Sequence, residues 1–332
     1  RIWEARAATE IEQALALDPD APEVHIALGE LRFATGAHTS AVAEFERALA
    51  SQPDQVDALL GLVRTRLALG ETARAEEMAK AAIAAAPEDW RGHNVLGVVR
   101  FHVGDFVGTL EPWRRVVELT PDNALGHLNL GSCYYHLDHF EAATAAYERS
   151  LALQPSPSGF SNLGTVLFFQ GIYDRAAEAF RKATVLRPAD PLLWGNLGNA
   201  CRWIPDQEAE AARALERAID LAYEKLERNP SDFDLWARAA GWLAGRGRVE
   251  EARTALARAF AIAPSDLDVI VRSAYVHVDL GEIDEGLRLL REAVDRGYPV
   301  TEFRRGAELA PLRGNPEFEK ILASAAPPHR LS

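Results

Sequence analysis

The chain has 332 residues and a formal net charge of −13, from 36 basic and 49 acidic side chains. This acidic balance argues against a general nucleic-acid binder, which carries a basic face, and against docking on anionic lipid. No apolar run is long enough to span a membrane, so protein or peptide partners are the class that composition leaves open.

The chain begins with RIWEARAATE, which has no start methionine and no signal-peptide core. We therefore expect a fragment of a longer protein that begins inside a helix. The two cysteines, Cys133 and Cys201, are too few for a disulfide framework and lie two repeat lengths apart, so we expect no bridge between them. This cysteine usage favours a reducing, cytoplasmic compartment, and a periplasmic one stays open.

A connector that contains proline recurs along the chain. The prolines are Pro19, Pro53, Pro87, Pro121, Pro155, Pro188, Pro230 and Pro264. Successive prolines are separated by 34, 34, 34, 34, 33, 42 and 34 residues. So regular a period indicates a tandem array in which each repeat is one supersecondary element.

Small and large residues recur at fixed positions when the connector proline is counted as position 32 of each repeat. Position 8 is mostly Gly, position 20 is mostly Ala, and position 24 is mostly large. Because antiparallel helices approach closely only where side chains are small, we expect Gly at position 8 to face Ala at position 20. Position 15 is a glycine suited to the left-handed end of a helix, replaced by Asp138 in the fourth repeat.

The order Leu-Gly, then Ala, then an aromatic residue, then Pro, at a spacing of 34 residues, resembles the tetratricopeptide repeat, a helix–turn–helix unit. The resemblance covers about residues 1–299. It implies an all-α fold, a right-handed superhelical solenoid of about eight and a half repeats with a C-terminal helical cap.

The predicted repeats follow a lone second helix at residues 1–17. They span residues 22–55, 56–89, 90–123, 124–156, 157–190, 191–232, 233–266 and 267–299. The sixth repeat has Pro205 in its turn, and its second helix continues through ALERAIDLAYEKLERNP, which predicts a long, protruding helix. Residues 300–322 are predicted to form a helical cap over the open end of the stack, and residues 323–332 a disordered tail.

The long helix and the C-terminal segment are similar to the ends of repeat arrays attached to bacterial serine/threonine kinases, adenylate cyclases and winged-helix regulators. No catalytic or DNA-binding motif is present in this chain, so we expect no enzyme activity, no metal site and no cofactor. The histidines of HLDH, His136 and His139, form a conceivable metal pair, but a groove residue next to a turn residue is the favoured interpretation. His25, His93 and His127 occupy position 4, where the family often has Trp, and are predicted to pack on their helices.

The resemblance implies that the first helix of each repeat lines a concave groove. Amides at position 6 offer both a donor and an acceptor, which is what an extended peptide backbone requires. The residues predicted to bind a peptide are Asn129, Asn162, Asn196, Arg238 and Arg272 at position 6, Ser132, Thr165 and Asn199 at position 9, and His102, His136, Phe169 and Trp203 at position 13. The alternative, in which the amides only bond neighbouring helices or water, stays open.

Arg238 and Arg272 are able to receive a carboxylate. However, Asp234 and Asp268 lie four residues earlier, at the spacing of a helical ion pair. The two-carboxylate clamp known in the family needs Lys at position 2, where this chain has Asp, so we do not predict a clamp.

Two functions remain. The first is a non-catalytic scaffold for protein–protein interaction that binds an extended peptide or partner segment in the groove. The alternative is a regulatory or oligomerising arm of a larger bacterial signalling enzyme, a kinase or a cyclase. Such an arm would act through the stack ends or the convex face, with self-association through the exposed half repeat at residues 1–17.

Overall fold

A computed structural model describes residue 11 and residues 16–324 of the chain. The described residues belong to two compact units, which are divided after Gln154. Every regular element in this part of the chain is a helix. The predicted half repeat at 1–17 and the predicted tail at 323–332 lie outside the described residues, apart from residues 11, 16, 17, 323 and 324.

Unit 1 consists of helix pairs in its described part, and successive pairs pack side by side. The helices are α1 (Pro22–Ala34), α2 (His38–Ser51), α3 (Val56–Ala68), α4 (Thr72–Ala85), α5 (Trp90–His102), α6 (Phe106–Leu119), α7 (Ala124–His136) and α8 (Phe140–Leu153).

Unit 2 continues the same pattern and ends in shorter helices. Its helices are α9 (Pro157–Phe169), α10 (Tyr173–Leu186), α11 (Pro191–Cys201), α12 (Glu208–Arg228), α13 (Phe233–Gly245), α14 (Val249–Ile262), α15 (Leu267–Asp279), α16 (Ile283–Asp295), α17 (Val300–Arg305), a 3₁₀ helix (Ala307–Leu312) and α18 (Pro316–Ala323). The odd-numbered helices from α9 to α15 are the first helices of their pairs.

The turns inside the helix pairs follow the sequence prediction. Asp138 replaces the usual glycine and adopts the left-handed conformation, with φ of 67°. In the sixth repeat the positive φ moves to Asp206, at 64°, directly after Pro205. The predicted extension of the sixth repeat is also confirmed, because α12 has 21 residues whereas α10 has 14.

In four of the described pairs, a glycine at position 8 of the first helix lies against a large ring at position 24 of the second. A β-carbon placed on Gly131 would lie 2.7 Å from the Tyr147 ring, and one on Gly164 would lie 2.7 Å from the Phe180 ring. The nearest neighbour of position 8 is therefore the large residue at position 24, rather than the alanine at position 20 that the pattern suggested. The rings fit between the helices only because glycine has no side chain at this position.

The C-terminal helices pack on the last repeat of unit 2. Phe303, Leu309 and Phe318 are almost fully buried in one cluster with Ile270 of α15 and Leu290 of α16. The 3₁₀ helix contacts α15, and α18 contacts α16. This packing brings residues from beyond the repeats next to the first helices of unit 2. Within the described part of the chain, no helix is both long and apolar enough to cross a bilayer.

Candidate functional site

A cavity of about 250 Å³ opens between the first helices of unit 2. We call it the unit 2 groove. Its lining residues come from four successive first helices, the end of α11 and the 3₁₀ helix. They are Phe169, Asn196, Asn199, Arg202, Ala237, Arg238, Gly241, Trp242, Arg272, Tyr275, Val276, Asp279 and Glu308. A concave site that combines apolar walls with a few polar side chains is the usual form of a ligand-binding surface.

Two amides on α11 face this groove. Asn196 and Asn199 are three residues apart and therefore lie on one face of the helix, while Leu197 and Gly198 between them are buried. Within the described residues, neither amide side chain forms a hydrogen bond. Both therefore retain a full set of donors and acceptors for a ligand.

A smaller cavity of about 140 Å³ shares both amides. We call it the Glu308 pocket. Its lining residues are Thr165, Phe168, Phe169, Phe180, Asn196, Asn199 and Glu308. Aromatic rings form its apolar wall, and Glu308 is the one charged side chain among the residues that line it.

Arginines on α13 and α15 both form ion pairs with the Asp234 carboxylate, although Nε of Arg272 is buried without a hydrogen bond within the described residues. Nε of Arg238 donates to Oδ2 of Asp234 at 2.7 Å, which confirms the predicted helical pair. Arg272 was expected to pair with Asp268, and this is wrong, since Nε of Arg272 lies 3.4 Å from Oδ1 of Asp234 on the neighbouring first helix. Burial lowers the pKa of Arg272. Two guanidinium groups thus share one acid at this end of the groove.

Four polar lining residues were not among the predicted site residues. Tyr275 and Asp279 occupy positions 9 and 13 of their repeats, which the predicted register already assigns to the groove side, and Arg202 lies at position 12, next to them. Arg202 donates to both carboxylate oxygens of Asp279, at 2.9 and 3.2 Å. Glu308 had no sequence signal, because it lies beyond the last repeat and reaches the groove only through the packing of the 3₁₀ helix.

Glu308 is a half-buried acid with an unusual environment. Burial raises the pKa of its carboxyl, and the nearby negative charge of Asp279 adds to this, while a hydrogen bond from the backbone N–H of Glu308 itself and the charges of Arg202 and Arg272 oppose it. Within the described residues, the Glu308 carboxyl makes no ion pair and no hydrogen bond to another residue. The carboxylate is therefore poorly compensated inside the groove.

Three of the four predicted residues of unit 1 have partners within the protein. Nδ2 of Asn129 donates to Oδ1 of Asn94 at 2.9 Å, and Oγ of Ser132 accepts from the Tyr147 hydroxyl at 3.1 Å. His136 stacks on Phe106 with a centroid distance of 4.2 Å. His102 is exposed at the end of α5. Asn129 thus follows, in part, the alternative in which amides bond a neighbouring helix.

Of the other predicted residues of unit 2, one lines a cavity and two do not. Thr165 lines the Glu308 pocket, and its hydroxyl donates to the Ser161 carbonyl at 3.0 Å. Asn162 is half-buried on α9 and lines neither cavity. Trp203 stacks on Tyr173 at a centroid distance of 5.7 Å and also lines neither cavity.

The His and Trp rings at position 4 form a hydrogen bond with the backbone carbonyl of the connector proline six residues earlier. Nε2 of His93 lies 3.0 Å from the Pro87 carbonyl oxygen, and Nε1 of Trp236 donates to the Pro230 carbonyl at 3.0 Å. His25 does the same with Pro19 while its Nδ1 contacts Glu44 at 2.8 Å. Where position 4 is His or Trp, its ring N–H supplies this bond, while Leu59, Phe160 and Ile270 occupy the same position without one.

Neither a metal site nor a disulfide is found in the described residues. No group of three or more side chains there is arranged to hold a metal ion. His139 of the HLDH segment lies over the Tyr134 ring instead, at 6.2 Å. Cys133 and Cys201 are both buried free thiols.

Comparison with known proteins points to one family. Models of the tetratricopeptide repeat match residues 5–56, 32–97, 124–157 and 161–202, together about half of the chain. No curated protein matches the chain.

Solved structures share the helical architecture. The Cut9–Hcn1 hetero-tetramer of the APC/C aligns with a TM-score of 0.60 and 19% identity, over 78% of this chain and 50% of that one. The C-terminal part of a TPR repeat-containing protein from Cytophaga hutchinsonii aligns with a TM-score of 0.53 and 15% identity, over 74% and 98%. A thermophilic TPR protein of Thermus thermophilus is 28% identical over 54% of this chain and 98% of its own, with a TM-score of 0.46.

Proposed function

Since the chain belongs to the tetratricopeptide repeat family, we propose that it is a non-catalytic interaction scaffold whose unit 2 groove binds an extended segment of a partner protein. The observation that carries the proposal is the pair of amides on α11. Asn196 and Asn199 face the groove and, within the described residues, have no hydrogen bond of their own.

These amides suit a peptide backbone. An extended backbone presents N–H and C=O groups in alternation, and each carboxamide supplies the complementary acceptor and donor. Such contacts hold the main chain without selecting its side chains. A segment that lies across α11 would therefore be retained whatever its exact sequence, and selectivity would come from the neighbouring pockets.

Side chains around the amides supply that selectivity. Phe169 and Tyr275 line the groove on either side of α11, on α9 and α15. Aromatic residues in partly buried pockets contribute a large share of interface energy. Arg238 and Arg272 lie at the α13–α15 end, where Asp234 already binds them. We assign them to positioning rather than to a carboxylate clamp.

The test is peptide selection followed by substitution of the amides. A random peptide library is selected on the full chain, and the enriched peptides are synthesised and titrated by calorimetry. We expect N196A/N199A to weaken binding by roughly five- to a hundredfold, because each lost hydrogen bond removes about 0.5–1.5 kcal/mol.

Gln52 provides the matched control, since it carries an exposed amide at the end of α2, in unit 1. Q52A should bind every selected peptide as the unmodified chain does. If N196A/N199A and the unmodified chain bind with equal affinity, and circular dichroism shows that both variants are folded, the unit 2 groove is not the binding site.

A further inference from the structure

The Glu308 pocket combines an acid with aromatic walls. Phe168 and Phe180 are buried beneath it, and the Phe169 ring is partly exposed. The Phe168 and Phe169 rings lie 6.1 Å apart at an interplanar angle of 82°. Rings of this kind attract cations through their negative faces.

The polar atoms in the pocket are mostly acceptors. The Thr165 hydroxyl has donated its proton to the Ser161 carbonyl, so its oxygen is left to accept. The Oδ1 atoms of Asn196 and Asn199 also accept, while their Nδ2 atoms donate, and the Glu308 carboxylate accepts only. A ligand group that carries several N–H donors and a positive charge matches this set.

No cationic side chain of the described residues lines the pocket. Arg202 is bound to Asp279 and Arg238 to Asp234, and neither arginine lines the pocket. Arg272 also lies outside it. Burial of a carboxylate with no cationic partner is costly, so a cation that enters the pocket gains a charge-assisted hydrogen bond.

We propose that the Glu308 pocket receives an arginine or lysine side chain of the bound segment, with the Glu308 carboxylate as its counter-ion. The proposal rests on the proposed function of the unit 2 groove and names the chemistry of its partner. The Glu308 pocket, with a volume of about 140 Å³, has room for one side chain, since a water molecule takes about 30 Å³ in the liquid. A planar guanidinium, which stacks on aromatic faces and forms bidentate bonds with a carboxylate, is the better fit of the two.

The charge of the whole chain favours the same partner. A net charge of −13 attracts basic segments at long range and raises their rate of encounter. Glu308 then supplies the short-range contact that makes the attraction specific. An acidic or neutral side chain would meet the unpaired carboxylate and gain neither effect.

The experiment is a double-mutant cycle between the pocket and the peptide. Each arginine of a selected peptide is replaced in turn by citrulline, which keeps the shape and removes the charge, and each lysine by norleucine. Affinities are measured by calorimetry on the unmodified chain, on E308Q and on E224Q. Glu224 is the matched control, because it is an exposed acid on α12 outside the groove.

We expect one basic residue whose replacement weakens binding about tenfold on the unmodified chain, equal to about 1.4 kcal/mol. The same replacement should have almost no effect on E308Q and its full effect on E224Q. If E308Q does not fold, E308D replaces it, with a smaller coupling expected because the carboxylate is shorter.

Two results overturn the inference and differ in what they leave standing. In the first, N196A/N199A weakens the binding of the selected peptides, but these peptides contain no basic residue of this kind, or replacing that residue weakens binding equally on E308Q and on the unmodified chain. The proposed role of the Glu308 pocket is then wrong, while the proposed function of the unit 2 groove stands. If N196A/N199A binds every peptide as the unmodified chain does, the groove and the pocket both fail.

Discussion

The amide of Asn129 is hydrogen-bonded to the amide of Asn94, with Nδ2 of the first 2.9 Å from Oδ1 of the second. The bond joins α7 to α5, the first helices of two successive repeats in unit 1. Asn196 and Asn199 in unit 2 have no such bond within the described residues. Asparagine on the same helix face therefore serves packing between repeats in one unit and is free for a ligand in the other.

We expect N129A to lower the free energy of unfolding by about 0.5–1.5 kcal/mol, the usual net contribution of one hydrogen bond. N94A should cost a similar amount, and N94A/N129A should cost less than the sum, because both changes remove the same bond. Urea denaturation measures all three. Strict additivity would show that the two amides act independently.

Gly164 should not tolerate a side chain. G164A places a β-carbon 2.7 Å from the Phe180 ring, and overpacking of this kind costs about 1–3 kcal/mol. G241A is the control, since the nearest atom to its β-carbon is 3.9 Å away. Alanine is favoured over glycine inside a helix by up to about 1 kcal/mol, so G241A should be neutral or stabilising. G164A should lower the midpoint of thermal unfolding and G241A should leave it unchanged or raise it, and equal changes would contradict the close contact.

Position 4 should accept any residue that has a ring N–H in the same place. H127W keeps a donor for the Pro121 carbonyl, which Nε2 of His127 contacts at 3.0 Å. W236F removes the donor to Pro230 while it keeps the ring. We expect W236F to cost about 0.5–1.5 kcal/mol and H127W to cost less. Chemical denaturation decides between this view and one in which only ring volume matters.

Both cysteines should react slowly in the folded protein. Burial raises the pKa of the Cys133 and Cys201 thiols from 9.0 to about 11. The native thiolate fraction at pH 8 is therefore small, and labelling by a disulfide reagent should accelerate as the pH rises toward 11. The denatured chain should label quickly at both residues, which is the control. Fast labelling of the folded chain at pH 8 would contradict the burial.

The same shift has a consequence for stability. Above pH 9.0 the unfolded chain loses its thiol protons while the folded chain keeps them up to about pH 11. The folded state then binds more protons than the unfolded state, so the free energy of unfolding falls as the pH rises through this window. C133A/C201A should remove that part of the fall, which urea midpoints at pH 8 and pH 10.5 would report.

The raised pKa of Glu308 leads us to expect a second pH dependence of the free energy of unfolding, in a more acidic range. Its pKa is raised above 4.5 in the folded protein, so folding favours the protonated form. The free energy of unfolding should therefore fall as the pH rises from 4.5 through the raised pKa. E308Q should lack this part of the dependence, whereas E224Q should retain it. Asp279, Arg202 and Arg272 are the charged groups that act on Glu308, and all three are unchanged in both variants.

The repeat could be predicted from spacing alone. Prolines 34 residues apart and a glycine at position 15 are local requirements of a helix pair, so they appear directly in the sequence. The register also assigned Asn196, Asn199, Phe169 and Tyr275 to the groove side. Side-chain partners could not be predicted in the same way, as the pairing of Arg272 with Asp234 across two helices shows.

The sequence by itself determined the period, the helix ends and the faces of the helices, because each depends on residues within one turn or one pair. Only the tertiary structure decided which amides are bonded and which are free, and that Glu308 belongs to the groove. Asn94 is 35 residues from Asn129, and Glu308 lies beyond the last repeat. Contacts at such separations depend on how successive helices pack, and a periodic pattern does not specify a segment that lies outside its period.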